Sequence, residues 1–176
     1  MPRYLNDYVL MAETTEDAPQ SYAEAMRSSN SEEWTKAMAE EIQALNKNQV
    51  WTLQVLPEGK KAIQSRWVYK IKTKTGDTIE RFKARLVAKG CSQKHGIDIQ
   101  ETFSPVARYE TIRTVLGVAA AEKLHLTQFD VSTTFLYGDL EEEIFLSQPE
   151  GFRDATNRVC KLNKSLYGLK QSPRCW

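Results

Sequence analysis

Two runs of alternating side chains, separated by a short turn, constrain the fold more than any other feature of the sequence. Residues 63–74 and 78–89 each alternate apolar and polar side chains, and Thr-Gly-Asp stands between them at 75–77. Period-two alternation around a glycine turn is typical of a β-hairpin. The apolar face of this predicted hairpin carries Trp67, Tyr69, Ile71, Phe82, Ala84 and Leu86.

The opposite face of the predicted hairpin is densely basic. Residues 60–95 contain eleven Lys and Arg against two acids, although the whole chain has a net charge of only +1. Like charges that face each other across a hairpin repel, so their concentration here favours phosphate binding over a merely solvated surface. The cations placed on this face are Arg66, Lys70, Lys72, Arg81, Lys83, Arg85 and Lys89.

Helices and further strands around the hairpin predict an α+β fold. Helices are expected over 20–28, from about residue 30 onwards, and over 109–123, and the last two carry apolar stripes at helical spacing. The first stripe is Trp34, Met38, Ile42 and Leu45, and the second, a predicted buried face, is Ile112, Val115, Leu116, Ala119 and Ala120. Strands are expected at 50–56, 126–131, 143–147 and 158–162, and a turn entering a helix at 163–176.

The composition argues against a secreted or membrane protein. Three cysteines, Cys91, Cys160 and Cys175, give no disulfide framework and fit a reducing compartment. Residues 1–19 are polar and acidic, which predicts a flexible tail rather than a secretory leader. No stretch approaches the roughly 20 apolar residues that a membrane span needs. The sequence therefore predicts an intracellular protein without membrane association.

Asp130 is the residue that most directly suggests chemistry. It lies in a predicted strand between Phe129 and Val131, where an ionised carboxylate is costly unless it has a partner or a metal. Mg²⁺ prefers carboxylate oxygens, usually with substrate phosphates completing its coordination. Asp130 is therefore a candidate metal ligand for phosphoryl chemistry, and the alternative is an edge-strand acid that faces water.

Longer blocks around these residues resemble one family. The segment QFDVSTTFLYGDLEEEIFLSQPEGF at 128–152 resembles the first catalytic motif of copia-type retrotransposon reverse transcriptases. RFKARLVAKG at 81–90, GIDIQETFSPVARYETIR at 96–113 and VCKLNKSLYGLKQSPRCW at 159–176 resemble further blocks of that family, in the same order. The resemblance runs from about residue 20 to residue 176, and several long blocks in order are far more specific than one short motif.

The resemblance implies roles for particular positions. Asp130 would be the catalytic aspartate that comes first among the three that bind two Mg²⁺ ions, and Phe135 would screen the sugar 2′ position of the incoming nucleotide. The implied reaction is in-line attack of a primer 3′-hydroxyl on an α-phosphate. The other implied nucleotide contacts are Lys83, Arg85, Lys170 and Gln171, and the implied nucleic-acid contacts are Lys70, Lys72 and Lys89.

The family's fold implies a division of the chain. Residues 20–107 would form connecting helices and a fingers β-hairpin, and residues 108–176 would form the first half of a palm, with an incomplete sheet. The sequence lacks the family's Tyr-Val-Asp-Asp motif, which carries the other two aspartates. We therefore expect a truncated RNA-directed DNA polymerase domain that does not polymerise alone and needs a complete domain to use Mg²⁺.

The resemblance also implies partners and location. In a full-length enzyme, the partners would be an RNA template, a DNA primer, deoxynucleoside triphosphates and the rest of a Pol polyprotein. The expected location is the cytoplasm, with a retrotransposon particle or the nucleus as alternatives. Two other functions stay open at this point: a non-catalytic remnant that binds nucleic acid through the basic hairpin, and a remnant that interacts with a longer polymerase.

Overall fold

The computed structural model describes residues 18–73 and 78–176. The tail predicted at 1–19 lies outside the described residues except for its last two positions, and so does the turn predicted at 75–77. The described chain combines helices with two small antiparallel sheets. The α+β prediction is confirmed at this level.

The two amino-terminal helices form where the sequence predicts them. Helix α1 spans Tyr22–Arg27, and the Ser21 hydroxyl caps it by accepting a hydrogen bond from the Glu24 amide at 3.2 Å. Helix α2 spans Ser31–Lys47 and has Glu32 and Glu33 in its first turn, where the helix dipole stabilises acidic side chains. Its apolar stripe is buried at Trp34, Met38 and Leu45 and partly buried at Ile42.

The hairpin is confirmed and packs on helix α2. Strands β2 (Ser65–Thr73) and β3 (Ile79–Ala88) pair antiparallel, with Trp67 opposite Leu86 and Lys70 opposite Lys83. The apolar face turns to α2, where the Trp34 ring meets Tyr69 at 5.1 Å and Phe82 at 4.7 Å, both edge to face. Because side chains alternate along a strand, this burial turns the basic side chains outward.

A second sheet lies beside the hairpin. Strand β1 (Trp51–Val55) pairs with β5 (Arg158–Leu162), which also pairs with β4 (Phe145–Leu146), all antiparallel. The bounds predicted for β1 and β5 hold within two residues, whereas the strand predicted at 143–147 is only two residues long. Ile63 joins the two sheets, since its amide donates to Phe145 O at 2.7 Å and its carbonyl accepts from Ser147 at 2.8 Å.

Two predictions in the middle of the chain are wrong. Helix α3 forms over Tyr109–Ala121, but Ala119 is its only buried residue in the described structure; the other members of the predicted buried face are exposed, namely Ile112, Val115, Leu116 and Ala120. The strand predicted at 126–131 is also absent from the described residues, where this segment has no regular secondary structure and pairs with no strand. The helical periodicity of α3 correctly predicts an apolar face, but it does not predict whether another element packs against that face.

A turn at 166–171 docks on the carboxyl end of β3 and leads into helix α4 (Ser172–Cys175). Ala88 donates its amide to Tyr167 O at 2.8 Å. Gly168 adopts φ +90°, and a Cβ built there would lie 2.2 Å from the carbonyl oxygen of Ala88. Gly90 also lies against the turn, since a Cβ built there would lie 2.1 Å from the carbonyl oxygen of Gly168. Both positions therefore require glycine.

A buried amide network fixes the same turn. Gln171 is completely buried; its side-chain oxygen accepts from Gln93 Nε2 at 3.0 Å, and its own Nε2 donates to Asp98 O at 3.0 Å. Gln93 Oε1 in turn accepts the amide of Lys170 at 2.9 Å. Buried polar groups cost little when every one is paired, so this network stabilises one position of the turn.

We expect Gly168→Ala to destabilise the chain much more than Gly59→Ala. Gly168 and Gly59 have positive φ, +90° and +78°, so an alanine at either position lowers the free energy of unfolding by roughly 1–2 kcal/mol through backbone strain alone. Gly59 has open space around it, whereas Gly168 would add overpacking of about 1–3 kcal/mol. Urea unfolding followed by tryptophan fluorescence measures both; equal losses of stability would contradict the close contact at Gly168.

Candidate functional site

A cleft of about 440 Å³ opens between helix α2, strand β3 and the segment that contains Asp130. The helix contributes Glu40 and Glu41, and the strand contributes Lys83 and Arg85. The third wall is the backbone and side chains of 130–134, and Tyr167 closes the cleft from the docked turn. The structure thus brings Asp130 together with Lys83 and Arg85, which come much earlier in the sequence.

The cations of the cleft are crowded. Lys83 is half-buried, and burial lowers its pKa, as do the nearby charges of Arg85, Lys72 and Arg81, while Glu41 acts in the opposite direction. Cations that repel one another in a partly buried place are stabilised by an anion that binds among them. This arrangement therefore suits phosphate oxygens.

Glu41 is the half-buried acid whose carboxyl is influenced by the charges of Lys83 and Arg85. Its Oε1 accepts a hydrogen bond from the Leu86 amide at 3.3 Å, on the edge of β3 that does not face β2. Burial raises the pKa of the Glu41 carboxyl, although the Leu86 hydrogen bond and the charges of Arg85 and Lys83 act to lower it. Its neighbour Glu40 forms an ion pair with Arg81 at 3.0 Å.

The aromatic wall of the cleft is built around Tyr167. The guanidinium carbon of Arg85 lies over the Tyr167 ring, 4.8 Å from its centroid. The Phe135 ring meets Tyr167 edge to face with 4.9 Å between centroids. Phe135 is half-buried, and the Ser165 hydroxyl donates a hydrogen bond to its carbonyl. Arg85 and Phe135, which the sequence assigns to nucleotide binding, thus both contact the Tyr167 ring.

Asp130 is exposed at the mouth of the cleft and precedes a tight turn. Thr133 adopts the left-handed conformation (φ 55°), which is unusual for a β-branched residue. The Thr134 hydroxyl donates back to Val131 O at 2.8 Å and leads into a 3₁₀ helix, Thr134–Tyr137. Strain of this kind is often found at functional sites, and here it turns the chain sharply just after Asp130.

The remaining predicted site residues lie elsewhere. Lys70 and Lys72 are exposed on the outer face of the hairpin, opposite Lys83 and Arg81. Lys89 is half-buried, and its ammonium group donates to Gln64 Oε1 at 2.8 Å.

The structure does not place Lys170 and Gln171 with the other candidate nucleotide contacts. Lys170 is exposed and donates to Gln93 O at 3.3 Å, and Gln171 is buried in the amide network. Neither is among the described residues that line the cleft. In this structure their side chains hold the turn together, and the nucleotide contact that the sequence assigns to them stays a prediction.

Of the three carboxylates that line the cleft, Asp130 is the one that the sequence assigns to a metal ion. The described residues contain no group of three or more His, Cys, Asp or Glu side chains arranged to hold a metal. Mg²⁺ demands six oxygens in near-octahedral geometry, of which proteins usually supply one or two carboxylates. The Asp130 carboxylate can be one of them, but the cleft as it stands is not a complete metal site.

Glu41 and Tyr167 line the cleft but were not among the residues predicted from the sequence. Glu41 lies one residue before Ile42 of the apolar stripe, and nothing in the local pattern distinguishes it from the exposed acids of α2. Tyr167 lies within the block at 159–176, so that block could have suggested it, but only the docked turn shows that its ring faces Arg85.

A protein family model matches most of the chain that forms this cleft. The model of the family described as reverse transcriptase (RNA-dependent DNA polymerase) matches residues 48–176, which is well over half of the chain. The chain belongs to this family. The matched region includes strand β3, Asp130 and the docked turn, whereas helix α2 with Glu41 precedes it.

Named relatives place this reverse transcriptase segment within longer proteins. The chain is 50% identical over 173 residues to the retrovirus-related Pol polyprotein from transposon TNT 1-94 of Nicotiana tabacum, covering 97% of the chain. It is 42% identical over 178 residues to the corresponding polyprotein from transposon RE1 of Arabidopsis thaliana, covering 99% of the chain. The chain spans 13% and 12% of the lengths of these relatives.

A shorter relative matches part of the chain. An uncharacterized mitochondrial protein of Arabidopsis thaliana is 48% identical over 86 residues, which covers 49% of this chain and 51% of that protein. No solved structure matches the chain.

Within the described ranges, none of the helices of this reverse transcriptase segment is long and apolar enough to cross a membrane. The three cysteines are free thiols, and burial raises the pKa of Cys160 to about 12.

We expect Glu41→Gln to stabilise the chain at neutral pH. Because the pKa of Glu41 is raised in the folded chain, its ionised form costs stability above that pKa, and the cost disappears as the pH falls below it. Glutamine keeps an oxygen for the Leu86 amide without the charge. Urea midpoints should therefore exceed those of wild type at pH 7 and converge with them near pH 4.

Glu40→Gln is the matched control for this prediction. Glu40 is the neighbouring, more exposed acid, and its ion pair with Arg81 contributes about 0–1 kcal/mol. Its loss should leave the urea midpoint unchanged or slightly lowered at pH 7. If Glu41→Gln lowered the midpoint at pH 7, the carboxylate would be a favourable counterion of Lys83 and Arg85 rather than a costly buried charge.

Proposed function

We propose that the chain forms the fingers hairpin and the first part of the palm of an RNA-directed DNA polymerase. In this arrangement the cleft between α2, β3 and Asp130 receives the incoming deoxynucleoside triphosphate. The single observation that carries the proposal is the convergence of Asp130, Lys83 and Arg85 on one cleft in a chain of the reverse transcriptase family.

The proposed roles follow from charge and position. Lys83 and Arg85 bind the triphosphate, because they are the crowded cations of the cleft and gain most from an anion. Asp130 supplies one carboxylate oxygen to a divalent metal, which the family uses and which we take to be Mg²⁺. When bound, that metal stabilises charge on the phosphates. The Thr133 turn fixes the backbone that leads away from Asp130.

We further propose that polymerisation requires a longer polypeptide. Asp130 stands for one of the family's three catalytic aspartates, and the Tyr-Val-Asp-Asp motif, which carries the other two, is not among these 176 residues. The proposed partners in such a polypeptide are an RNA template, a DNA primer and the rest of the Pol polyprotein. The proposed location is the cytoplasm, a retrotransposon particle or the nucleus.

The test is primer extension on an RNA template. The 176-residue chain alone should incorporate no nucleotide. A chimera is then built in which this chain replaces the matching segment of the tobacco TNT 1-94 polyprotein, where the identity is 50%. We expect the chimera to extend the primer and Asp130→Asn to reduce extension by about 10²-fold or more, because a displaced metal misaligns the reacting atoms.

Asp139→Asn is the matched control in the same chimera. Asp139 is an exposed aspartate nearby that does not line the cleft among its described residues, so extension should stay near wild type. Full activity of the Asp130→Asn chimera would show that Asp130 has no catalytic role. Template-dependent extension by the 176-residue chain would show that the segment is complete by itself.

The basic face of the hairpin supports a second candidate function, RNA binding without catalysis. Lys70 and Lys72 lie directly opposite Lys83 and Arg81 on the outward face of β2 and β3. Each phosphate contact releases counterions, so binding through this face must weaken as salt rises. This function does not require Asp130, and the two candidates can therefore be separated.

We expect reversal of four charges to remove most salt-dependent RNA binding. The variant replaces Lys70, Lys72, Lys83 and Arg85 with Glu, and the measurement is the slope of log Kd against log salt for single-stranded RNA. Four lost contacts should reduce the slope by up to about 3, since each contributes roughly 0.7 for single strands. The control reverses four other exposed lysines, Lys36, Lys47, Lys61 and Lys123. Equal slopes for the two variants would mean that the chain binds RNA by overall charge rather than through the hairpin.

A further inference from the structure

Ser165 connects the docked turn to the segment that follows Asp130. It is completely buried and directly precedes the turn at 166–171. Its hydroxyl donates to the carbonyl of Phe135, which lies within the 3₁₀ helix, and its amide donates to Gly138 O at 2.7 Å, just after that helix. One buried residue thus holds the 3₁₀ helix both within it and at its end.

The segment that carries Asp130 has little else to hold it. Residues 126–131 pair with no strand. Within the described ranges, the bond from Ser165 to Phe135 is the one hydrogen bond that joins residues 126–137 to a distant part of the chain, and the others are local to the segment. The position of Asp130 therefore depends on how firmly the 3₁₀ helix is attached.

The docked turn, in contrast, is fixed to the strand that carries the cations of the cleft. Tyr167 O accepts the Ala88 amide at 2.8 Å, and Gly168 lies so close to the end of β3 that a side chain has no room there. Close-packed contacts of this kind transmit displacements rather than absorb them. The hydroxyl of Ser165 therefore extends a stiff connection from β3 to the helix that follows Asp130.

We propose that Ser165 is a positioning residue for Asp130, because its hydroxyl ties the 3₁₀ helix to the docked turn and so sets where Asp130 lies relative to the cations of β3. The inference rests on the proposed function and adds a residue that is not among the described ones lining the cleft. Mg²⁺ demands near-ideal geometry from its ligands. A carboxylate shared with phosphates must therefore be held in place by the residues behind it.

Ser172 provides a matched control in the same part of the chain. It is 1% exposed, against 0% for Ser165. Its hydroxyl also donates to a main-chain carbonyl, that of Leu166 at 2.6 Å. This acceptor belongs to the docked turn itself and not to the segment after Asp130. Ser165→Ala and Ser172→Ala thus remove the same kind of buried hydrogen bond, but only Ser165→Ala detaches the 3₁₀ helix.

The first measurement is hydrogen exchange of single amides in the 176-residue chain. The amides of Leu136 and Gly138 donate to carbonyls at the start of and within the 3₁₀ helix. Ser165→Ala should speed their exchange by about two- to tenfold, the effect of losing one typical hydrogen bond on local opening. Ser172→Ala should change it much less. Equal exchange in the two variants overturns the proposal, because Ser165 then does not hold the helix.

The second measurement is the Mg²⁺ dependence of primer extension by the TNT 1-94 chimera. Ser165→Ala should raise the Mg²⁺ concentration for half-maximal extension by about tenfold, since residues that orient a metal ligand typically contribute at least that factor. Ser172→Ala should leave this concentration unchanged, because a loss of folded enzyme lowers extension equally at every Mg²⁺ concentration. Ser165→Cys keeps the side-chain size with a weaker donor and replaces Ser165→Ala in both measurements if that variant fails to fold.

Asp130→Asn in the same chimera separates failure of this inference from failure of the proposed function. If Asp130→Asn lowers extension while Ser165→Ala and Ser172→Ala have the same Mg²⁺ dependence, Asp130 keeps its metal role and the inference about Ser165 is overturned. If Asp130→Asn leaves extension at the wild-type level, the metal role proposed for Asp130 is overturned together with the inference.

Discussion

The packing of the hairpin's apolar face on helix α2 determines most of what the chain can do. Trp34 lies between Tyr69 and Phe82, and burying these rings fixes which face of β2 and β3 turns inward. A strand has only two faces, and a slip of one residue would exchange them. The apolar contact therefore turns Lys83 and Arg85 to the outer face of the hairpin, and the edge of β3, where the Leu86 amide donates to Glu41, brings the acids of α2 near them. The electrostatics of the cleft follow from hydrophobic burial rather than from attraction between charges.

The docked turn adds the second constraint, and it does so through backbone contacts. The close approach between Gly90, Gly168 and Ala88 leaves no room for side chains, so the turn at 166–171 has one position on β3. That position carries Tyr167 to Arg85 and thereby connects the end of the chain to the hairpin. Gln93 and Gln171 stabilise the same contact with paired buried amides. The turn within the block at 159–176 therefore has a structural function, whatever role the family resemblance implies for it.

The sequence predicts local structure well here and long-range contacts poorly. The hairpin and β5 could be predicted because alternation and flanking turns are local signals. Gln171 could not be recognised as buried, because its partner Gln93 is 78 residues away. The exposed face of α3 illustrates the same limit, since the stripe of Ile112, Val115 and Leu116 indicates that an apolar surface exists but not what lies against it. The segment that contains Asp130 does not form the predicted strand for the same reason, because a strand needs a neighbour that supplies hydrogen bonds.

The charge balance of the cleft indicates how an anion can enter it. Its lining carries three cations, Arg81, Lys83 and Arg85, against three carboxylates, Glu40, Glu41 and Asp130. A formally neutral site attracts a polyphosphate weakly unless one carboxylate is neutralised. Glu40 is paired with Arg81, and Asp130 is exposed to solvent. Burial raises the pKa of Glu41, which favours loss of its charge. If the cleft binds a triphosphate as proposed, proton uptake by Glu41 leaves Lys83 and Arg85 to the ligand. The dissociation constant of inorganic triphosphate, measured by calorimetry, should then fall as the pH falls towards the pKa of Glu41, and Glu41→Gln should remove this dependence on pH.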